Sequence, residues 1–146
     1  MSKGNTWEAN ILQLLFQAVA TTNIADNAAS GPLAALWISL HTADPGEAGT
    51  QLTSETAYQA YTRIGVSRNT AGWTVTTASG PVSPAANIDF PQCTSTPGTA
   101  TVTHFAVGST SSGTGVLYYS GTVTPVIVVA NGVTPRLTTA SAITED

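Results

Sequence analysis

The sequence predicts a mainly β protein: a jelly-roll-like antiparallel β-sandwich of about eight strands with a short N-terminal α-helix. Apolar residues recur at helical spacing near the N-terminus. After Pro32 the chain consists of short β-prone runs separated by Gly-, Pro- and Ser-rich turns, which is typical of sandwiches and barrels. With 146 residues, the chain is long enough to bury a core as one domain.

The helix and a connecting arm are predicted over residues 1–31, and the β-sandwich over residues 32–146, within a single domain overall. Asn5 or Thr6 can cap the helix. One helical face then carries apolar side chains, at Ile11, Leu12, Leu14, Leu15 and Val19, with Phe16 beside it. Two interpretations stay open: this face packs on the chain's own domain, or it docks on a neighbouring subunit.

The strands are predicted from short runs with β-branched and aromatic residues. In order they are LWISLHT, YQAYTRIGVS, GWTVTT, NIDF, TATVTHFAVG, GVLYYSGTVT, PVIVVA and VTPRLTTASAI. GSTSSGTG at 108–115 lacks the lysine of a phosphate-binding loop, and we interpret it as a hairpin connection. Asn131-Gly132 lies between two β-prone runs and predicts a further hairpin.

The composition excludes several classes of partner. Only 8% of the residues are charged, and the four basic residues are too few for a stripe that follows nucleic acid phosphates or for a polybasic membrane patch. We therefore predict neither nucleic acid nor membrane as a partner. A surface rich in Thr and poor in charge costs little to desolvate against another protein, which indicates a component of an assembly.

The stretch LHTADPGEAGTQ, residues 40–51, holds three side chains that bind metals elsewhere: His41, Asp44 and Glu47. Their spacing across a Pro-Gly turn matches neither a zinc site nor an EF-hand. Asp44-Pro45-Gly46 is typical of a turn, because proline presets φ and glycine accepts a positive φ. The stretch is therefore interpreted as a turn that follows a strand ending at His41.

The remaining candidates for chemistry also favour structural roles. The one cysteine, Cys93, has neither a histidine nor a cation near it in sequence, and His104 lies in mid-strand. Asp89 has no second acid that the pattern places opposite it. We predict no catalytic residue, no cofactor, no metal site and no enzyme activity.

Aromatic and arginine residues are few enough to interpret one by one. Trp37 and Trp73 are predicted to lie in the core, although Trp73 could instead form a sugar-stacking surface. Tyr118 and Tyr119 point to opposite faces of a strand, so at least one of them faces outward or into an interface. The arginines, Arg63, Arg68 and Arg136, should each pair with an acid, either in this chain or across an interface.

Several phrases occur in an order that resembles a family of small virion proteins of tailed bacteriophages. They are MSKGNTWE with a short apolar helix, SLHTADPGEAGTQ, SETAYQAYTRIGVSR, GWTV, VTHFAVGS, LYYSGTVTP and NGVTPR, and they cover nearly the whole chain. The resemblance implies a structural protein and carries no catalytic motif. Some proteins of this kind resemble capsid cement or decoration proteins with a jelly-roll sandwich; others are described as tail-fibre-like.

The favoured role is a capsid cement protein that binds the outside of the major capsid shell across capsomers and stabilises it. The alternative is a tail fibre or tail-tip component, or a carbohydrate-binding receptor module. A fibre shaft would show repeats or a coiled coil, which this sequence lacks. The cement role implies the major capsid protein as partner, a homo-oligomer with a dimer favoured over a trimer, synthesis in the host cytoplasm, and a final location on the capsid surface.

Contact residues are predicted in three regions. They are the N-terminal helix with Trp7, Leu12 and Phe16, the loop with Asp44 and Glu47, and the last predicted hairpin with Asn131 and Arg136.

Overall fold

A computed structural model describes residues 5–20, 33–76, 81–95 and 100–144. This part of the chain contains helix α1 (Asn5–Gln17) and eight strands. The strands are β1 (Ala35–His41), β2 (Ile64–Ser67), β3 (Trp73–Val75), β4 (Val82–Pro84), β5 (Ile88–Asp89), β6 (Ala100–Gly108), β7 (Leu117–Val129) and β8 (Arg136–Leu137). The predicted fold class is confirmed: a mainly β chain with eight strands in antiparallel sheets and a short N-terminal helix.

The strands form one four-stranded sheet and two two-stranded sheets in the described residues. The larger sheet has the order β2-β1-β6-β7, and the smaller ones pair β3 with β4 and β5 with β8. Residues 109–116 join the antiparallel neighbours β6 and β7, which confirms the predicted hairpin connection at GSTSSGTG.

The second predicted hairpin, at Asn131-Gly132, is wrong. A turn does form there, because Gly132 has φ of +83° and the Val133 N–H donates to the Ala130 carbonyl at 2.9 Å. However, β7 before the turn pairs with β6, whereas β8 after it pairs with β5. Asn-Gly chemistry reverses the chain locally but does not decide which strands then pair.

The chain divides into two compact units. Unit 1 comprises residues 1–35, 66–87 and 138–146, and unit 2 comprises residues 36–65 and 88–137. The predicted boundary between residues 31 and 32 lies outside the described residues and stays a prediction. Among the described residues, no helix combines the length and the apolar character needed to cross a membrane.

Unit 1 has its core between α1 and the β3–β4 hairpin. Phe16 and Trp73 are almost fully buried, and their rings meet edge to face with centroids 4.7 Å apart. Leu12 and Val82 are also buried. The prediction that Trp73 lies in the core is confirmed, and the sugar-stacking interpretation of this residue is wrong because the ring is 1% exposed.

The burial of α1 also corrects part of the predicted contact set. Leu12 and Phe16 are 1% and 0% exposed, so they pack on the chain's own unit and offer no surface to a partner. Helical spacing identifies an apolar face, but it does not say which protein covers that face. The Trp7 side chain lies outside the described residues, and its predicted contact stays a prediction.

Arg68 holds the C-terminal end of α1. Its Nη2 donates to the Leu14 carbonyl at 2.6 Å, its Nε donates to the Leu15 carbonyl, and its Nη1 donates to the Leu33 carbonyl at 3.0 Å. The last carbonyls of a helix have no partner within the helix, and a cation there also complements the helix dipole. The acceptors of Arg68 among the described residues are main-chain carbonyls, and its predicted acidic partner stays a prediction.

We expect Arg68→Met to lower the free energy of unfolding by about 1–3 kcal/mol, because it leaves part-buried carbonyls without donors while keeping the apolar stem. Urea unfolding followed by circular dichroism would measure the loss. Arg136→Met, which removes an exposed arginine, is the matched control. An equal loss in both variants would contradict the capping role of Arg68.

Unit 2 buries residues on both faces of β1. Leu36, Ile38 and Leu40 are covered on one face, and Ser39 and His41 on the other. The segment that follows β1 reaches this second face through Gln51, whose Nε2 donates to the Trp37 carbonyl at 3.1 Å and whose Oε1 accepts from the Thr110 N–H at 3.0 Å. Gln51 thus lies over this face of the sheet, whereas residues 54–56 pair with the end of β1, where Glu55 forms a bridge with His41.

Candidate interaction surface

The predicted turn after β1 is confirmed. The Gly46 N–H donates to Asp44 Oδ1 at 2.9 Å, Gly46 has φ of +70°, and the Gly49 N–H donates to the Gly46 carbonyl at 3.0 Å. Pro45 is buried, whereas Asp44 and Glu47 are exposed. Proline thus anchors the turn and leaves both carboxylates at the surface.

His41 is separated from these acids by its own hydrogen bonds. Its Nδ1 lies 2.8 Å from the Thr53 carbonyl, and its Nε2 lies 2.9 Å from Ser39 Oγ. A carbonyl only accepts, so Nδ1 carries the proton and Nε2 accepts from the serine hydroxyl. The pair has the pattern of a nucleophile and its base, but both residues are 0% exposed. It therefore presents neither group to a substrate.

The burial of His41 predicts a loss of stability in mild acid. Burial is the main reason that its pKa is lowered from 6.5; Arg63 and His104 also lower it, while the Thr53 carbonyl and Glu55 raise it. A lowered folded-state pKa adds stability that is fully present above pH 6.5 and is lost as the pH falls through the folded-state pKa. Chemical unfolding between about pH 7 and pH 5 should show this decline.

His41→Gln should remove that part of the pH dependence, although the variant will be less stable throughout. The same series on His104→Gln reports on the other histidine, whose Nδ1 lies 2.9 Å from Thr103 Oγ1. The assignment to His41 fails if the decline persists in His41→Gln and disappears in His104→Gln.

Arg63 and Glu55 form a buried ion pair. Arg63 is 5% exposed, and its Nε and Nη2 donate to the two carboxylate oxygens of Glu55, each at 2.7 Å. The guanidinium also donates to the Thr110 and Gly113 carbonyls at 3.0 and 2.8 Å. The predicted acidic partner is thus found within this chain. The hydrogen bonds of Arg63 therefore link Glu55, in the segment after β1, to Thr110 and Gly113, in the β6–β7 connection.

Tyr61 connects the Arg63–Glu55 ion pair to strand β1 by two hydrogen bonds. Its hydroxyl donates to Glu55 Oε1 at 2.8 Å and accepts from the Leu40 N–H at 3.0 Å. Burial is the main cause that raises the pKa of Tyr61, and the hydrogen bond to Glu55 raises the pKa of Arg63. Both groups are therefore held in their ordinary protonation states, which suits a structural network.

Arg136 also has its acid within the chain. It lies opposite Asp89 in the β5–β8 ladder, and its Nε and Nη2 donate to the Asp89 carboxylate at 2.5 and 3.0 Å. This hydrogen bonding lowers the pKa of Asp89. Arg136 and Asn131 are both exposed, so their predicted contact with a partner stays a prediction.

A cleft of about 680 Å³ lies beside Tyr58 and is lined by residues 42, 55–59, 95 and 100–101. Two of its polar groups are engaged: the Tyr58 hydroxyl donates to the Pro91 carbonyl at 2.9 Å, and Glu55 pairs with Arg63. The buried Thr56 hydroxyl has no partner among the described residues. Burial raises the pKa of Tyr58 to about 12. Cys93 is buried, with its Sγ 3.3 Å from Ser95 Oγ. These contacts favour a structural role for this region.

Strand β7 carries two exposed apolar side chains of unit 2. It is the last strand of the order β2-β1-β6-β7, runs for 13 residues and contains no charged residue. Val126 and Val128 are 50% and 57% exposed. Thr122 and Thr124 are also exposed, and they are separated from Val128 by a shift in the register of the β6–β7 pairing. We define the β7 surface as these four side chains together with the edge of β7 that pairs with no other strand in the described residues.

The β7 surface continues into a smaller cleft of about 340 Å³. This acidic cleft is lined by Asp44, Gly46 and Glu47 from the turn and by residues 117–120 of β7, which include Tyr118 and Tyr119. The structure therefore brings two predicted contact residues, Asp44 and Glu47, together with Tyr118 and Tyr119, of which at least one was predicted to face outward or into an interface. Sequence reasoning missed the edge position of β7, although its long charge-free run was visible.

Comparison with known proteins gives the family. The family described as Podophage GP4 fiber I protein gp80 matches residues 2–144. No curated protein matches the chain. Because the family match covers nearly all of the sequence, the chain belongs to this phage fibre protein family and is a structural protein of a bacteriophage virion.

Proposed function

We propose that this virion protein is a component of the phage fibre and that it works by binding another virion protein. The observation that carries the proposal is the match of a fibre protein family to residues 2–144. This description supports the alternative of a fibre component better than the favoured role of a capsid cement protein. The engaged polar groups around His41, Arg63 and Tyr58 agree with a binding role without turnover.

The elements favour a terminal or joining module of the fibre over its shaft. Shafts are built from repeats or long coiled coils. The described chain has one helix of 13 residues and short strands in three sheets. A module of this kind contributes a rigid β surface that holds a neighbouring fibre protein. The β7 surface is the best candidate for that contact, because it is exposed, apolar and free of charge.

A comparison of normal virions with virions that lack the protein distinguishes the fibre role from the capsid cement role. We expect the virions without it to adsorb poorly to host cells while their capsids withstand heating and osmotic shock as well as normal capsids do. Addition of the purified protein should restore adsorption. Fragile capsids with normal adsorption would instead support the capsid cement role and overturn the fibre proposal.

A further inference from the structure

We propose that Asn131 is a site of spontaneous deamidation, and that hydrogen bonds from residues 92 and 93 to the neighbouring Gly132 protect it in the folded protein. The sequence contains seven asparagines, and Asn131 is the one that a glycine follows. The reaction consumes water and needs no enzyme. The inference is independent of the fibre proposal, because it concerns the turn after β7 and requires no partner.

The reaction begins at the main-chain nitrogen of Gly132. This nitrogen gives up its proton and attacks Cγ of the Asn131 side chain, so that a new C–N bond closes a cyclic succinimide. The bond from Cγ to the side-chain nitrogen breaks, and that nitrogen takes up a proton and leaves as ammonia. Water then adds to either ring carbonyl and opens the ring to aspartate or isoaspartate. Glycine favours the attack, because it carries no side chain beside the attacking nitrogen.

The Asn131 amide lies in an open setting. Asn131 and Gly132 are both exposed, and the Asn131 side chain makes no hydrogen bond among the described residues. A Cβ placed on Gly132 would meet no atom within 4 Å, so the amide has room to turn towards the main chain. Asn69 differs in this respect, because its Oδ1 accepts from the Ala71 and Gly72 N–H groups at 2.9 and 3.2 Å.

Gln92 and Cys93 hold the main chain of this turn. The Gly132 N–H donates to the Cys93 carbonyl at 2.8 Å, and Gln92 Nε2 donates to the Gly132 carbonyl at 2.8 Å. The Cys93 N–H donates in turn to the Val133 carbonyl at 2.9 Å. An N–H that donates to a carbonyl keeps its proton, so its nitrogen cannot attack Asn131 until that bond opens. The rate of modification therefore follows the population of the locally opened turn.

The modification changes a surface that has few charges. Either product places a carboxylate where the neutral amide stood, in a chain with only 8% charged residues. Isoaspartate also routes the main chain through the former side chain and so lengthens the turn. A virion is not supplied with new protein after assembly, so the modified fraction rises with the age of the particle. The hydrogen bonds of Gln92 and Cys93 slow this change.

The test follows Asn131 by peptide mass spectrometry while the purified protein is kept at mildly alkaline pH, which promotes loss of the main-chain proton. Wild-type protein is compared in its folded state and in urea. Gln92→Ala removes the hydrogen bond to the Gly132 carbonyl, and Gln59→Ala, which removes another exposed glutamine, is the matched control. Circular dichroism checks the fold of each variant, and hydrogen exchange of the Gly132 N–H measures the opening of the turn directly.

We expect Asn131 to be modified at least about tenfold more slowly in the folded wild type than in urea. Gln92→Ala should speed both modification and hydrogen exchange about fivefold, because it removes one hydrogen bond that closes the turn, and Gln59→Ala should match the wild type. Equal rates in the two folded variants, or faster modification without faster exchange at Gly132, would overturn the protective role of Gln92. Equal rates in the folded and unfolded wild type would overturn protection by the fold. An unmodified Asn131 in urea would overturn the site itself.

Discussion

Arg63→Met should be the most damaging single change in unit 2, lowering the free energy of unfolding by about 3–5 kcal/mol. The substitution leaves the Glu55 carboxylate without its cation and the carbonyls of Thr110 and Gly113 without their donor, so that the Tyr61 hydroxyl is the remaining donor to Glu55. An unpaired buried carboxylate costs far more than a lost surface pair, because water cannot replace the missing partner.

Denaturant unfolding of Arg63→Met, Glu55→Gln and the double variant would measure this effect. The double variant should be more stable than Arg63→Met alone, because it no longer buries an unpaired charge. Arg136→Met breaks an exposed pair and should cost much less. The account of the buried network fails if Arg63→Met and Arg136→Met lose the same stability, or if the double variant shows simple additivity.

Trp73→Ala should have the largest effect in unit 1, again about 3–5 kcal/mol. The indole is 1% exposed and packs edge to face on Phe16, so its removal leaves a cavity between α1 and the β3–β4 hairpin. The loss combines the transfer of a large apolar group to water with the cost of that cavity.

Trp73→Phe refines this prediction. The indole Nε1–H is buried and has no acceptor among the described residues, so replacement by phenylalanine removes an unsatisfied donor and offsets part of the lost packing. We expect Trp73→Phe to be clearly more stable than Trp73→Ala. Trp37→Ala, at a half-buried position, serves as the control for loss of a tryptophan. Equal losses for Trp37→Ala and Trp73→Ala would contradict the assignment of Trp73 to the core.

The class of the fold and many of its elements follow from local patterns. Helix α1 begins at Asn5, a predicted cap, and LWISLHT and TATVTHFAVG both contain strands of the large sheet. Two predicted strands, GVLYYSGTVT and PVIVVA, instead form the single strand β7, which contains Pro125. An edge strand tolerates the missing N–H of proline, but the register of β6 with β7 shifts between Val102 and His104, so the pairing is interrupted where the two predicted strands join.

The interaction surface was only partly predictable. The turn chemistry of Asp44 and Gly46 is local and could be predicted. The order of strands was not, because it depends on pairings between residues far apart in sequence, such as Ser39 with Ala106. The hydrogen bonds of Gln51 and Arg63 could not be predicted for the same reason. Gln51 accepts from the Thr110 N–H, 59 residues away, and Arg63 donates to the Thr110 carbonyl, 47 residues away.

The most direct test of the central claim is electron microscopy of intact virions labelled with gold-conjugated antibody against this protein. A fibre component predicts gold confined to the fibres, on wild-type virions and on deletion virions to which the protein has been added back. Gold distributed regularly over the capsid shell, with bare fibres, would contradict the account and return the capsid cement role to first place.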